Sequence, residues 1–374
     1  MKRKLVMVLV AAMVSSLTAC GSSGNVTETT TKAETAKTTE SVPAEKETAG
    51  EKTDAVVMRI GGTCTASEKV SEYLAMQKLA ELVEEYSEGT IKAEVYPASQ
   101  LGSTGELAEG IMLGSLECAV IGLDAFQSYN SITCVTSLPY IFENYDVVRD
   151  TLDGKNSVGQ AIYASLLKEN NTRVLAGMHR GYRGIGLTKR ATGAADDVPF
   201  TPADLRGLRI RTPSVKTISD VVASFGAQPV AVANAEIATS LSQGVIDGID
   251  YGYTELWAQQ WDGVKYVLET QHAATDVVSM VSESWFQTLT EKQQEAIIRA
   301  GQEAGEYRYQ LMLEEQETAR ETLRGWGIVP VYGDMIDLEA FKANSGDLIE
   351  SWIGNYISQE MYDEIVTLNE AAKK

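Results

Sequence analysis

The stretch Leu208-Arg209-Ile210-Arg211-Thr212-Pro213 has the pattern of a short strand that carries two arginines and stops at a proline. Ser214 directly after it is a good helix cap, and the residues that follow predict a helix over 214–225. Asn234 opens a second helix, and the apolar run 246–250 predicts the next strand. This alternation of strands and helices indicates an α/β unit with a mostly parallel sheet.

The same alternation occurs nearer the N-terminus, which predicts another α/β unit. Its elements are a helix opened by a Thr65/Glu68 capping box and extending to Gly89, a strand over 91–96, a helix opened by Ser103 and Glu106, and a buried strand over 118–121. Farther on, residues 290–324 predict one charged helix that is longer than an ordinary domain needs. The fold class is therefore α/β, and residues 55–374 suffice for two domains.

The N-terminus predicts export and anchoring. Basic residues precede an apolar run over 5–14, which is too short to span a bilayer but has the layout of a secretory signal. The sequence Leu-Thr-Ala-Cys at 17–20 resembles the bacterial lipobox, so residues 1–20 are expected to be a lipoprotein signal peptide with Cys20 as the lipidated residue. Residues 21–54 lack aromatic side chains and predict a disordered tether.

Composition excludes several classes of function. The formal charge of −20 argues against a nucleic-acid partner, because a phosphate backbone needs a basic surface. With two histidines and no GxSxG, HExxH or P-loop motif, no catalytic residue, cofactor or metal site is expected. Beside Cys20, the cysteines are Cys64, Cys118 and Cys134; buried free thiols are favoured, and a Cys118–Cys134 bridge is the alternative.

Arg211 is the leading candidate for ligand binding. In open α/β sheets, ligands bind outside the carboxyl ends of the strands, and Arg211 lies at such an end. The helix after it directs its first amide groups toward the same space, and a guanidinium can give a carboxylate two parallel hydrogen bonds. Arg209 lies on the same strand face, and we expect it only to be solvated. By position alone, Arg211 is a candidate to hold an organic anion, and a surface or structural arginine is the alternative.

A series of motifs in order supports the same assignment. The segments are Tyr96-Pro97-Ala98-Ser99-Gln100-Leu101-Gly102, Gly114-Ser115-Leu116, Leu138-Pro139-Tyr140, Gly207 to Pro213, Phe225-Gly226-Ala227-Gln228-Pro229-Val230, Glu236, Leu241, Gly244 and Ile246-Asp247-Gly248. Together they resemble the solute receptors of tripartite ATP-independent periplasmic (TRAP) transporters, the DctP-like family, over nearly all of residues 57–330. The resemblance implies that Arg211 is the carboxylate-binding arginine, and that Arg183 of Gly181-Tyr182-Arg183 brings a second cation to the solute.

The resemblance also implies roles for other positions, although at one of them this chain differs from the family. Where the family commonly has Glu-Asn, this chain has Asp250-Tyr251, and a phenol donates one hydrogen bond where an amide donates two. Tyr251 is thus expected to contact the solute or to pack in the wall, and Tyr253 to line the same cleft. Glu236 is expected to be structural or to pair with an arginine. The candidate ligand-binding residues are Arg211, Arg183, Tyr251, Asp250, Glu236 and Tyr253.

The resemblance also implies a two-lobe, periplasmic-binding-protein-like fold with a central ligand cleft and a long helix that spans both lobes. Lobe I is expected over 55–180 with about 277–316, and lobe II over 181–276 with about 317–374. The implied function is the capture of a small organic acid outside the cytoplasm for a TRAP membrane permease, without enzymatic activity.

The alternative functions are a binding subunit of an ATP-driven importer or sensor, and a lipid-anchored hydrolase that uses carboxylates. A sugar acid or uronate, a C4-dicarboxylate and a 2-oxo acid all fit as the solute. Sugar acids are favoured, because Tyr251, Tyr253 and several hydroxyl and amide side chains suit a polyol.

Overall fold

The computed structural model describes residues 55–373, so the expectations for residues 1–20, for Cys20 and for the tether over 21–54 lie outside the described residues. Two sheets organise the part that is described. Each sheet belongs to one lobe, as the two-lobe α/β fold requires.

The sheet of lobe I has five strands. They are β1 (Val56–Gly62), β2 (Ile91–Tyr96), β3 (Cys118–Gly122), β4 (Thr172–Gly177) and β10 (Val277–Ser282). Their order is β2-β1-β3-β10-β4; the first three are parallel, and β10 runs antiparallel to β3 and β4. The predicted strands over 91–96 and 118–121 are confirmed.

The sheet of lobe II has six strands. They are β5 (Arg183–Leu187), β6 (Arg209–Thr212), β7 (Gln228–Ala231), β8 (Gly248–Gly252), β9 (Tyr266–Leu268) and β11 (Val329–Val331). Their order is β11-β9-β5-β8-β6-β7, in which β6, β7 and β8 are parallel and β5 is antiparallel to β8 and β9. The strand predicted over 246–250 lies two residues later, as β8.

The α-helices cover both sheets. They are α1 (Ser71–Tyr86), α2 (Thr104–Leu113), α3 (Tyr145–Leu152), α4 (Ser157–Asn170), α5 (Lys216–Ser224), α6 (Ile237–Ser242), α7 (Tyr253–Ala258), α8 (Glu283–Phe286), α9 (Glu291–Gly325), α10 (Leu338–Trp352) and α11 (Gln359–Ala372). In lobe I, successive residues of β3 alternate between two cores: Cys118 and Val120 join the α1 and α9 side, and Ala119 and Ile121 join the α2 and α4 side. This burial on both faces explains why the strand is continuously apolar.

Three helix starts differ from the prediction. Asn234 begins only a short 3-10 turn, and α6 starts at Ile237. Thr65 and Glu68 form no capping box, because the chain after β1 is held by backbone bonds, including Ala98 N–H to the Cys64 carbonyl at 2.8 Å, and α1 begins only at Ser71. Ser214 likewise does not cap α5, which begins at Lys216 without a side-chain cap. By contrast, the capping box of Ser103 and Glu106 opens α2 as predicted.

Two extended crossings join the lobes. One connects β4 to β5 and the other connects β9 to β10. They are hydrogen-bonded to each other, with Thr275 N–H to the Gly181 carbonyl at 3.0 Å and Arg183 N–H to the Ala273 carbonyl at 2.8 Å. This paired ribbon is the expected position of a hinge.

The helix α9 is a third connection, and the prediction of one long helix over 290–324 is confirmed. Thr290 and Gln293 form a capping box at its start, and its 35 residues contact α1 and β4 in lobe I and α7 and β11 in lobe II. Gly305 rests on β4, where an added Cβ would lie 2.7 Å from the Gly177 carbonyl oxygen. A small residue is therefore needed where the helix passes the crossing.

The C-terminus departs from the expected division of the lobes. Helix α10 packs on α5 in lobe II, but α11 returns to lobe I and packs on α3 and α4. The buried Asn369 fixes it there, because its amide donates to the Ile141 carbonyl at 2.6 Å. Assigning all of 317–374 to lobe II therefore does not describe α11.

Candidate functional site

A cavity of about 450 Å³ lies between the two lobes, at the carboxyl ends of the parallel strands in both sheets. Lobe I contributes Thr63 after β1 and Asp124 after β3, and lobe II contributes Arg211, Tyr251 and Asn234. The pairing of β5 with β8 also places Arg183 at the cavity, because Arg183, the first residue of β5, pairs with Gly252 at the end of β8. The sheet edges thus form the two walls of one cleft.

Arg211 is fixed in the wall of this cleft by neutral partners. Its Nε donates to the Val232 carbonyl at 2.9 Å, one Nη donates to the Asp250 carbonyl at 3.2 Å, and the other donates to the side-chain oxygen of Asn234. The guanidinium lies over the Tyr251 ring, 5.2 Å from its centroid. The residue is only 3 % exposed.

The charge of Arg211 is not neutralised by any residue that the structure describes. No acidic side chain among residues 55–373 forms an ion pair with it. Burial lowers the pKa of Arg211 to about 10, so the group still carries its charge at neutral pH. A buried cation without an anionic partner is unfavourable, and a bound carboxylate would remove that penalty.

Arg209 shows the contrast on the same strand. Its Nε bonds to the Asp247 carboxylate at 2.9 Å, and the residue does not line the cavity. The sequence interpretation that Arg209 is solvated agrees with this placement.

Arg183 lines the cavity but is paired. Its Nε bonds to Asp250 at 2.9 Å, and the other oxygen of Asp250 bonds to Nε2 of His272 at 2.7 Å. Burial alone would raise the pKa of the Asp250 carboxyl, but Arg183 and His272 outweigh it and hold the pKa lowered to about 2. Asp250 is fully buried behind Arg183, so it positions this arginine and does not line the cleft.

Two further candidates lie elsewhere. Glu236 is exposed and outside the cavity lining, because the turn after Asn234 directs it to the surface. Tyr253 is buried, accepts the N–H of Gln271 at 3.0 Å and packs on Trp257, so it supports the wall from behind. Neither contacts the cleft, and a direct solute contact for Glu236, Tyr253 or Asp250 is not supported. Tyr251 does line it.

Sequence reasoning missed several cleft residues. Arg180 lines the cavity and contacts Glu72 of α1 and Glu255 of α7, the latter at 3.2 Å, so it ties the crossing to both lobes. Its position three residues before Arg183 in the sequence could have indicated that Arg180 also lies near the cleft. Asn234 was interpreted only as a helix cap, yet its amide orients Arg211 and lies 3.3 Å from the Thr63 hydroxyl of the opposite lobe.

Asp124 and Asp276 are the other residues that were missed. Asp276 precedes β10, and Gly122 of β3 pairs with Val277, so the two carboxyls meet in the lobe I wall. The Asp124 N–H donates to Asp276 at 3.0 Å. Burial, with the charge of Asp276 next, raises the pKa of Asp124 to about 8, and burial also raises the pKa of Asp276. Neither residue lies in a sequence motif.

The cysteines of the described region are free and buried, so the alternative of a Cys118–Cys134 bridge is wrong. Burial raises the pKa of the Cys64 thiol to about 11 and that of Cys134 to about 12. Across residues 55–373 there is no cluster of side chains suited to hold a metal ion. None of the helices described is both long and apolar enough to cross a membrane.

Two α/β lobes joined by paired crossings, with a cleft that presents buried arginines at strand ends, define a solute-binding protein of the periplasmic-binding type. Residues 62–355 match the model of bacterial extracellular solute-binding protein family 7, DctP, and the chain belongs to this family. Its members are solute-binding proteins, and relatives include TRAP solute receptors.

Known proteins resemble the chain over most of its length. The 2,3-diketo-L-gulonate-binding periplasmic protein of Escherichia coli is 28% identical over 284 residues, which cover 76% of this chain and 83% of that protein. A TRAP periplasmic solute-binding protein of Roseobacter denitrificans, solved with bound L-galactonate, has a TM-score of 0.71 and 26% identity over 84% of this chain and 98% of its own. A TRAP periplasmic solute-binding protein of a Polaromonas species, solved with bound D-erythronate, has a TM-score of 0.74 and 20% identity. The match covers 84% of this chain and 98% of that protein, and it shows that the two share a fold.

Proposed function

We propose that this chain captures a sugar acid, an aldonate or a uronate, for uptake by a TRAP transporter. The observation that carries the proposal is Arg211, a buried and unneutralised cation in the wall of a cleft that both lobes line. The solute carboxylate supplies the missing anionic partner, and contacts to both walls supply the free energy that favours closure.

The size and lining of the cleft fit a hydroxylated acid. A volume of about 450 Å³ is within the range of small-molecule sites. Hydroxyl and amide side chains line both walls, among them Thr63, Ser103, Gln127 and Asn234. Relatives named for 2,3-diketo-L-gulonate or solved with L-galactonate support the same class of solute. A polyol chain would find hydrogen-bond partners on either side.

Arg183 has a different role in this proposal. Because Asp250 neutralises it, Arg183 contributes oriented N–H groups and no net charge. It therefore stabilises a polar atom of the solute by hydrogen bonding, while Arg211 selects the charge.

The lipobox-like sequence at the N-terminus supports a membrane-anchored location in this proposal. A lipid on Cys20 would anchor the protein at the outer side of the cell membrane, and residues 21–54 would tether the solute-binding part to it. The permease partner would be the membrane subunits of a TRAP transporter, which draw on an ion gradient. Radiolabelled fatty acid incorporation that is lost in Cys20→Ala would test the anchor.

A thermal-shift screen of the purified protein tests the solute class. Sugar acids, C4-dicarboxylates and 2-oxo acids are added separately, and a ligand at 100 times its Kd adds about 2.7 kcal/mol of stability. We expect the largest shifts with aldonates or uronates. Shifts with neutral sugars equal to those with their acids would contradict the role of Arg211.

A further inference from the structure

Asp124 and Asp276 form an acidic pair in the lobe I wall, on the side of the cleft that does not carry Arg211. Both line the cavity, and they are only 6 % and 3 % exposed. The pair is assembled by the antiparallel register of β3 and β10, although the residues are far apart in sequence. It is therefore a fixed feature of the lobe and not a chance surface contact.

The two carboxyl groups differ in their hydrogen-bond donors. One oxygen of Asp276 accepts the Asp124 N–H at 3.0 Å and the Thr136 hydroxyl at 2.7 Å. No side chain within 55–373 donates a hydrogen bond to the Asp124 carboxyl; its donor is the backbone amide of Ala125. Asp124 thus presents a buried acceptor in the cavity wall.

Thr275 gives an independent indication. The residue is 1 % exposed and lines the same cavity, and its hydroxyl has no partner in the described part of the chain. Buried polar groups in proteins are nearly always hydrogen-bonded, so the unpartnered Thr275 hydroxyl indicates a polar ligand atom at this part of the cavity, which Asp124 also lines.

The backbone leaves room for this arrangement. A Cβ at Gly122 would collide with the Asp124 carboxyl and would lie 2.9 Å from an oxygen of Asp276. Glycine therefore allows both carboxyls to approach the strand end at the point where β3 meets the cleft.

We propose that Asp124, with Asp276 and Thr275, is a hydroxyl-binding subsite that holds the polyol part of the solute while Arg211 holds its carboxylate. The inference rests on the proposed function and refines it. A hydroxyl both donates and accepts; a protonated Asp124 offers it a donor and a carbonyl acceptor, and the second carboxyl of Asp276 lies in the same wall. A second carboxylate on the solute would instead meet this acidic pair and be repelled, so the subsite selects hydroxylated monoacids over C4-dicarboxylates.

The protonation of the pair gives the subsite a pH dependence. The charged and titratable groups that face Asp124 are Asp276 before β10, Arg183 on β5, Asp250 on β8 and Cys134. Burial and Asp276 raise the pKa of Asp124 to about 8, so the Asp124 carboxyl is protonated at neutral pH and loses its proton as the pH rises through 8. Its loss removes a donor and adds a negative charge next to an anion, so binding weakens.

Calorimetry with D-galactonate and succinate, from about pH 7 to about pH 9, tests this subsite. Wild type is expected to prefer galactonate and to lose affinity for it several-fold across that range. Asp124→Ala should lose galactonate affinity by tenfold or more at neutral pH. Asp124→Asn keeps a donor and an acceptor without titrating, and its affinity should become independent of pH. The control is Asp197→Asn, at an exposed acid outside the cavity lining.

The outcomes separate the two hypotheses. If galactonate binding depends on Arg211 but Asp124→Ala binds it as wild type does, the subsite is refuted and the proposed function stands. An unchanged pH profile in Asp124→Asn refutes it equally, even if the alanine variant does not fold. Tighter binding of succinate than of galactonate by wild type also overturns the selectivity. If wild type binds no organic acid at all, both hypotheses fail.

Discussion

Replacing Arg211 by lysine tests the central interaction of the cleft. The guanidinium is held by Val232, Asp250 and Asn234, so its remaining N–H edge is fixed in direction. Lysine keeps the charge but has neither the planar fork nor enough donors for these partners and a carboxylate together. Losing two charge-assisted hydrogen bonds of about 1.5 kcal/mol each predicts a loss of about 3 kcal/mol, or roughly a hundredfold in Kd.

The same substitution leaves buried oxygens without donors. The carbonyls of Val232 and Asp250 would each lose a hydrogen bond, which predicts destabilisation of about 1–3 kcal/mol. Binding must therefore be measured by calorimetry well below the unfolding temperature of the variant. Circular dichroism at the same temperature would establish that the variant is folded.

Arg209→Lys is the matched control on the same strand. Arg209 lies outside the cavity lining, and lysine keeps a positive charge beside Asp247, so solute affinity should not change. Equal affinity of folded Arg211→Lys and wild type for the same acid would refute the assignment of Arg211. A loss of equal size in the Arg209 variant would show that the effect is not specific to the cleft.

Three further outcomes are expected. Asp250→Asn should destabilise the protein by about 3 kcal/mol, because it leaves Arg183 buried without its counter-ion. The pKa of Asp250 is lowered in the folded state, so the difference in free energy of unfolding between wild type and variant should be complete above about pH 4 and shrink as the pH falls toward 2. Chemical denaturation across this pH range measures that difference. Gly305→Val should destabilise by about 1–3 kcal/mol by overpacking, whereas Gly325→Ala, at the open end of the same helix, should not destabilise in a thermal melt. The buried thiols of the described region should react with a thiol reagent only after denaturation, and rapid labelling of the native protein would contradict their burial.

Signals that lie within a few residues of one another predicted much of the fold. The capping box of Ser103 and Glu106 forms as expected, and α9 begins at the predicted place, because a helix start of this kind involves only its own turn. The pattern at Thr65 is of the same kind, but there the strand and its cross-links hold the chain extended, and tertiary bonds override the local preference.

The cleft was predicted only in part for a related reason. Arg211 could be placed because a strand end has a defined position in an α/β sheet. Asp124 and Asp276 could not be placed, because their proximity depends on the pairing of β3 with β10. The sequence of a strand does not show which other strand it pairs with. Asp250 was predicted at the solute because the pair Asp250-Tyr251 stands where the family commonly has Glu-Asn; strand alternation instead places Asp250 behind Arg183.

The continuous helix α9 limits how the protein can be divided. At about 1.5 Å per residue its 35 residues extend roughly 50 Å, and its two halves complete the cores of different lobes. Neither lobe is a contiguous piece of chain, and a cut anywhere in this helix would leave an apolar stripe uncovered in each product. Attempts to express one lobe alone, or to exchange a lobe between relatives, should therefore yield insoluble material unless the whole helix is kept intact.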